Sequence, residues 1–356
     1  MPGRTTLPGQ NASTDRLTAG STVAATRMTG KPIRCIGPRK HSECMPVIEV
    51  RHLHKRYGDL LAVNDVSFAV ERGEIFGVIG PNGAGKTTAV ECLGGLRRPD
   101  SGEVRVVGLD PQRDTATLRR VLGMQLQSSA LPEKLRVREA VELFASFYPD
   151  PADPGQLLGE WGLDRKREAA FSTLSGGQRQ RLSIALALVG RPQVAILDEL
   201  TTGLDPNARR DTWELVRQIR DSGVTVVLVT HFMEEAERLC DRVAVINGGL
   251  LVARDTPVRL VERLVAGQRI RFRPSEPLDD ALLTDLPQVT ALRRTGALLE
   301  ITGHGELLQA VVAVLARHRV VAADLRVDGP TLDDAFVALT GHCTGTDTAL
   351  APQKVR

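Results

Sequence analysis

The feature that most constrains this chain is Gly80-Pro81-Asn82-Gly83-Ala84-Gly85-Lys86-Thr87-Thr88, set between a continuously apolar segment and a helix start. Its glycines remove the Cβ atoms that would keep backbone N–H groups from converging on phosphate oxygens. Lys86 is placed to reach the β- and γ-phosphates and Thr87 to offer its hydroxyl to Mg²⁺. A helix opening on that loop adds the favourable potential of its macrodipole. The preceding segment, Ile75-Phe76-Gly77-Val78-Ile79, carries no polar side chain, as a strand buried on both faces of a parallel sheet requires. Strand, phosphate loop and helix in this order point to an α/β fold.

Two further buried strands are expected at Val194 to Leu197 and Thr225 to Val229, each reached through a helix. The first ends in Asp198-Glu199, which places two carboxylates at the carboxyl edge of the sheet, where ligands of such folds bind. Asp198 is expected to hold Mg²⁺ through water, and Glu199 to polarise an attacking water. Ahead of the loop, Ile48, Val50 and Leu53 and then Val66, Phe68 and Val70 alternate as half-buried antiparallel strands do. A helix is expected over Val137 to Tyr148 and another from Ser175. Asn247-Gly248-Gly249 marks a hairpin.

Near Arg269 the period changes. The order strand, helix (Leu278 to Leu286), strand, strand, helix (Glu306 to Arg317), strand is that of a ferredoxin-like split βαβ unit. An amphipathic helix over Thr331 to Leu339 follows. The expected organisation is therefore a disordered arm (1–44), a nucleotide-binding domain (46–268), a C-terminal α+β accessory domain (269–341) and a disordered tail (342–356). The arm is rich in Thr, Ser, Gly, Pro and Arg, with no periodic apolar face.

Charge narrows the partners. The formal net charge is +3, but residues 1–44 hold seven Lys or Arg against two acids, which leaves −2 for the rest. Aromatic residues make up 3%, too few for a base-stacking platform, so nucleic acid is not expected as a partner. The five cysteines show no C-x-x-C spacing, which fits a reducing compartment. Apolar runs such as Leu182 to Val189 fall short of the roughly 20 residues a membrane span needs, and the N-terminus lacks the apolar region of a secretory signal.

Leu174-Ser175-Gly176-Gly177-Gln178 is a second glycine-rich helix start, without a lysine. In order between the phosphate loop and the acidic strand, it resembles the signature of the ABC transporter ATPase family. The resemblance implies a cassette with a mixed-sheet core, an antiparallel subdomain and a helical subdomain, working with ATP and Mg²⁺. It also implies that the signature closes over ATP held by a partner's phosphate loop, so that two chains form a head-to-tail homodimer. Further positions match residue by residue. Tyr57 corresponds to the aromatic that stacks on adenine, and Asp205 in Gly203-Leu204-Asp205-Pro206 to the loop coupling the two sites. His231 corresponds to the histidine bonded to the γ-phosphate. Gln127 corresponds to the glutamine that senses γ-phosphate and Mg²⁺, with Gln125 the alternative. Leu200 departs from the proline usual after the Asp-Glu pair.

The ending Thr331-Leu332-Asp333-Asp334-Ala335-Phe336-Val337-Ala338-Leu339-Thr340-Gly341 is similar to that of the type-two exporter branch, which includes the daunorubicin-resistance ATPases. What this implies is an ATP-hydrolysing exporter subunit, cytoplasmic and peripheral on the inner face of the cell membrane, docked on a separate integral membrane permease. The rival class is a soluble, non-transport ABC ATPase acting on ribosomes or DNA. Against it stand the single phosphate loop and the offset of 94 positions from Gly80 to Leu174, too few for a long coiled-coil insertion. A third reading makes the C-terminal unit a metabolite-sensing regulator of transport.

Overall fold

The computed structural model describes residues 46–126, 131–264 and 267–341. The expected arm 1–44, the tail 342–356 and Gln127 lie outside the described residues. The chain opens with β1 (Ile48–Tyr57) and β2 (Leu60–Val70), an antiparallel pair whose buried positions include Ile48, Val50, Leu53, Val66, Phe68 and Val70. Next comes β3 (Ile75–Ile79), buried at every position. Helix α1 (Lys86–Leu93) starts on the phosphate loop itself. Strand β4 (Ser101–Val106) then pairs with β1, completing a three-stranded antiparallel sheet.

Helix α2 (Thr115–Val121) leads into β5 (Leu122–Gln125). The helical portion follows as α3 (Val137–Ala145), α4 (Pro154–Glu160) and α5 (Gly176–Leu188). Helix α3 ends at Ala145 rather than Tyr148. Pro149 disfavours helical geometry at the residue before it, and the chain unwinds through tighter bonds from Phe147 N–H to Phe144 and from Tyr148 N–H to Ala145. The chain then alternates through β6 (Val194–Asp198), α6 (Pro206–Asp221), β7 (Thr225–Thr230), α7 (Met233–Leu239), β8 (Arg242–Asn247) and β9 (Leu250–Asp255). The central sheet has the order β5-β6-β7-β3-β8-β9, parallel except for the β8–β9 hairpin.

Alternation along the central strands feeds two cores. Ile75, Ile79, Ala195 and Leu197 join the core shared with the helices. Phe76, Val78, Val194 and Ile196 face the other side, toward the antiparallel sheet. Because both faces are covered, these strands read as unbroken apolar runs.

After α8 (Pro257–Leu264) come β10 (Gln268–Pro274), α9 (Ala281–Thr284), β11 (Val289–Thr295), β12 (Leu298–Gly303), α10 (Leu307–Arg317) and β13 (Ala322–Asp328). Their sheet runs β11-β12-β10-β13, antiparallel throughout, with its own core around Phe272, Leu299, Ile301 and Val311. This is the ferredoxin-like arrangement that the element order implies. The last helix, α11 (Leu332–Thr340), leaves this unit: Leu332, Ala335 and Phe336 pack into the core of the first. Each large apolar side chain so buried contributes about 1.5–3 kcal/mol. That outweighs the half-exposed Arg269–Asp334 ion pair at 3.2 Å, a type worth about 0–1 kcal/mol. We propose the division 46–268 and 269–341 along the chain, with α11 returning in space to the first core.

Candidate functional site

Strand register assembles the site. Ile79 lies opposite Thr230, and Asp198 opposite Val229, so the segments leaving β3, β6 and β7 emerge side by side at one sheet edge. These segments are the phosphate loop, Glu199 and His231.

The loop is held by close packing. A Cβ on Gly80 would stand 2.0 Å from the Ile246 carbonyl oxygen, and one on Gly85 2.1 Å from that of Ala62. Both residues also have positive φ, so only glycine fits. Lys86 is 4% exposed, and its Nζ donates to the carbonyls of Gly80 and Pro81, each at 2.9 Å. Burial lowers its pKa, against the opposing charges of Glu199 and Asp198. Tyr57, Asn82, Gly83, Ala84, Gly85, Lys86, Thr87, Thr88 and Glu199 line one cavity of about 400 Å³, together with Leu60 and Ala62. Leu60 and Ala62 were not singled out from the sequence, because nothing about an apolar hairpin residue signals a cavity wall.

Asp198 is fully buried. Its Oδ2 accepts from the Thr87 hydroxyl at 3.4 Å, and its Oδ1 has no hydrogen-bond partner. Burial pushes its pKa up to about 6, Glu199 adding to the rise while Thr87 and Lys86 oppose it. An orphaned carboxylate oxygen beside a threonine hydroxyl fits Mg²⁺. That ion is held by one or two carboxylates with waters and substrate phosphates rather than by a full protein cage.

Glu199 takes a left-handed backbone, φ +50°, uncommon for a residue with a side chain. The turn sends Leu200, the departure from the usual proline, into the helix-side core at 0% exposure, so burial anchors that position. The Glu199 Oε1 lies 3.2 Å from Nδ1 of His231.

The signature stands apart. Ser175 caps α5 in a capping box: its hydroxyl oxygen accepts from Gln178 N–H at 3.3 Å, and its own N–H donates to Gln178 Oε1 at 3.0 Å. Asp205 caps α6, accepting from the N–H groups of Asn207 and Ala208 at 3.0 Å. Ser175, Gly176, Gly177, Gln178 and Asp205 line a second cavity of about 330 Å³, together with Arg181, Leu204 and Thr212. It shares no residue with the phosphate-loop cavity. A larger cavity, about 590 Å³, opens among Arg72, Trp161, Gln193 and Val224. Arg72, Gln193 and Val224 precede the central strands, so it lies at the opposite sheet edge and holds none of the residues expected to bind phosphate.

Comparison with known proteins agrees with this geometry. The family profile described as ABC transporter matches residues 63–202. The chain is 37% identical to a daunorubicin resistance ATP-binding protein of Streptomyces coeruleorubidus over 305 residues, covering 83% of this chain and 96% of that one. It is also 37% identical to a Nod factor export ATP-binding protein I of Rhizobium etli over 318 residues, 86% and 98% of the two chains. Among solved structures, an ABC transporter subunit of Clostridium perfringens superposes with TM-score 0.56 at 27% identity, over 61% of this chain and 91% of that one. An ATP-binding cassette dimer in a post-hydrolysis state, bound to ADP and Pi, superposes with TM-score 0.53 at 27% identity over 59% and 98%. With the phosphate loop, acidic strand and signature each set in its element, this chain belongs to the ABC transporter family of ATP-binding proteins.

Proposed function

We propose that this chain is the ATP-hydrolysing subunit of an exporter, working as a homodimer on a separate membrane permease. The observation that carries the reading is the division of phosphate-binding groups between two cavities with no residue in common. Each cavity holds half of what one nucleotide needs, and each chain carries both halves. A twofold pair closes two composite sites. Daunorubicin resistance and Nod factor export are the roles in the names of two relatives, and they favour export as the direction of transport. Among the described residues no helix is long and apolar enough to cross a membrane, so the translocation path is assigned to the permease, with this subunit on its cytoplasmic face.

Within the composite site, Tyr57 at the cavity rim stacks on the adenine. The amides of Asn82 to Thr88 and the Lys86 ammonium bind the phosphates. Thr87 and Asp198 are the residues that would hold Mg²⁺, which supplies neutralisation of phosphate charge when bound. Glu199 orients the attacking water and takes its proton, and His231 fixes that carboxylate through Nδ1. The partner's Ser175 hydroxyl keeps its own proton free while its oxygen accepts from Gln178, so it donates to phosphate with the Gly176 and Gly177 amides. Gln127 is assigned to sensing the γ-phosphate. Replacing Glu199 by Gln is expected to lower kcat about 10²- to 10⁴-fold, the usual range for general acid–base groups, with ATP affinity retained. Loss of ATP binding in that variant would make Glu199 structural.

A further inference from the structure

Glu235 is a buried carboxyl group that the hydrolytic scheme above does not use. It sits on α7 at 0% exposure. Its Oε1 accepts from the indole N–H of Trp213 on α6 at 3.2 Å. Its Oε2 is buried with no partner at hydrogen-bonding geometry. So are the hydroxyl of Thr201 and Nε of Arg209; burial raises the Glu235 pKa, and the Thr230, Trp213 and Thr201 donors and the Arg209 charge oppose that rise. The Thr201 hydroxyl and Nε of the Arg209 guanidinium are thus unpartnered donors in the neighbourhood of this acceptor.

The neighbours of this carboxylate belong to two of the segments that form the site, those of Glu199 and His231, and to helix α6. Thr201 follows Glu199 and Leu200, and Thr230 directly precedes His231. Trp213 and Arg209 lie on α6, the helix that Asp205 caps. A buried carboxylate is costly to keep without a compensating role, and a core position on α7 would be filled more cheaply by an apolar residue. We propose that Glu235 is a positioning residue for hydrolysis: its carboxylate holds the Glu199 turn, the His231 strand end and helix α6 in one register, and Oε2 is the acceptor for the Thr201 hydroxyl during turnover. This rests on the ATPase reading given above. The residue touches no nucleotide. It acts through the distance between Glu199 and His231, where small displacements are expensive for catalysis.

The test is steady-state ATP hydrolysis and ATP titration on the full chain with Glu235→Gln, which keeps the shape and the oxygen facing Trp213 but removes the charge. The expected result is a kcat lower by about 10- to 100-fold, with ATP affinity within about twofold and a Tm close to that of the wild type. An unchanged kcat, or a kcat and affinity that fall together, overturns the proposal. Combined with His231→Ala, Glu235→Gln is expected to add less than about twofold, since both act through one ring. Losses that multiply would assign Glu235 a separate structural role. If Glu235→Gln does not fold, Trp213→Phe and Thr201→Val each remove a single donor; each should lower kcat about 3- to 10-fold at unchanged ATP affinity, and normal kcat in both overturns the proposal. A wild-type chain that hydrolyses no ATP would remove the ATPase reading and this inference together. An active wild type with an equally active Glu235→Gln would remove this inference alone.

Discussion

Lys86 and Asp198 are two buried ionisable groups near enough to act on each other's pKa, and each is expensive to charge without a counter-charge. Removing the cation by Lys86→Ala is expected to abolish measurable hydrolysis and to weaken ATP binding by at least about tenfold, since charge-assisted bonds to phosphate are the strong ones; calorimetric titration checks it. Asp198 yields a pH dependence. Its pKa of about 6 means that below that pH a neutral acid replaces the carboxylate we propose to hold Mg²⁺, so Mg²⁺-dependent nucleotide binding should fall about tenfold per pH unit there. The sign for the fold is opposite. A carboxyl whose pKa rises on folding favours the protonated native state, so this group adds stability as pH falls from about 6 toward the ordinary carboxylate range. Binding titrations paired with melting curves across that window should therefore show affinity falling with no loss of Tm from this group. Most of these residues were legible in the sequence, because a phosphate loop or an acidic strand end needs its residue types at fixed spacing. Glu235 was not: nothing in a helix reading Met-Glu-Glu-Ala-Glu says which carboxylate the fold turns inward.

At the scale of elements, apolar runs and alternation located the central strands, and the element order implied the ferredoxin-like sheet that β10 to β13 form. Where α11 docks was not legible, since an amphipathic helix announces that one face is covered but not by what. Its covering is the first core, through Phe336 at 1% exposure and Leu332 at 1%, with the Leu332 N–H donating to Glu237 on α7 at 2.7 Å. Phe336→Ala is expected to cost about 3–5 kcal/mol of stability, the usual range for a buried Phe. It should do so without a matching loss of ATP affinity, because α11 contributes no residue to either cavity. Chemical denaturation alongside nucleotide titration checks both halves. An affinity loss equal to the stability loss would mean that the helix supports the nucleotide loop directly.

For the whole molecule, we propose that one chain carries two half-sites and no complete one. The sequence showed both glycine-rich helix starts, but their separation is a property of the fold: α1 begins beside β2 and the hairpin of β8 and β9, whereas α5 begins beside the start of α6. Glu199→Gln should therefore accumulate an ATP-dependent dimer, with ATP acting as the bound ligand that stabilises it, and Ser175→Arg should not, because the bulky cation fills the signature cavity. The most direct measurement mixes Ser175→Arg chains with Lys86→Ala chains, each inactive alone, and follows ATP hydrolysis as mixed dimers form. A mixed dimer has one composite site with both halves intact, so the account predicts partial recovery that rises with the fraction of mixed dimer. Full activity in a chain verified to remain monomeric during turnover would contradict it.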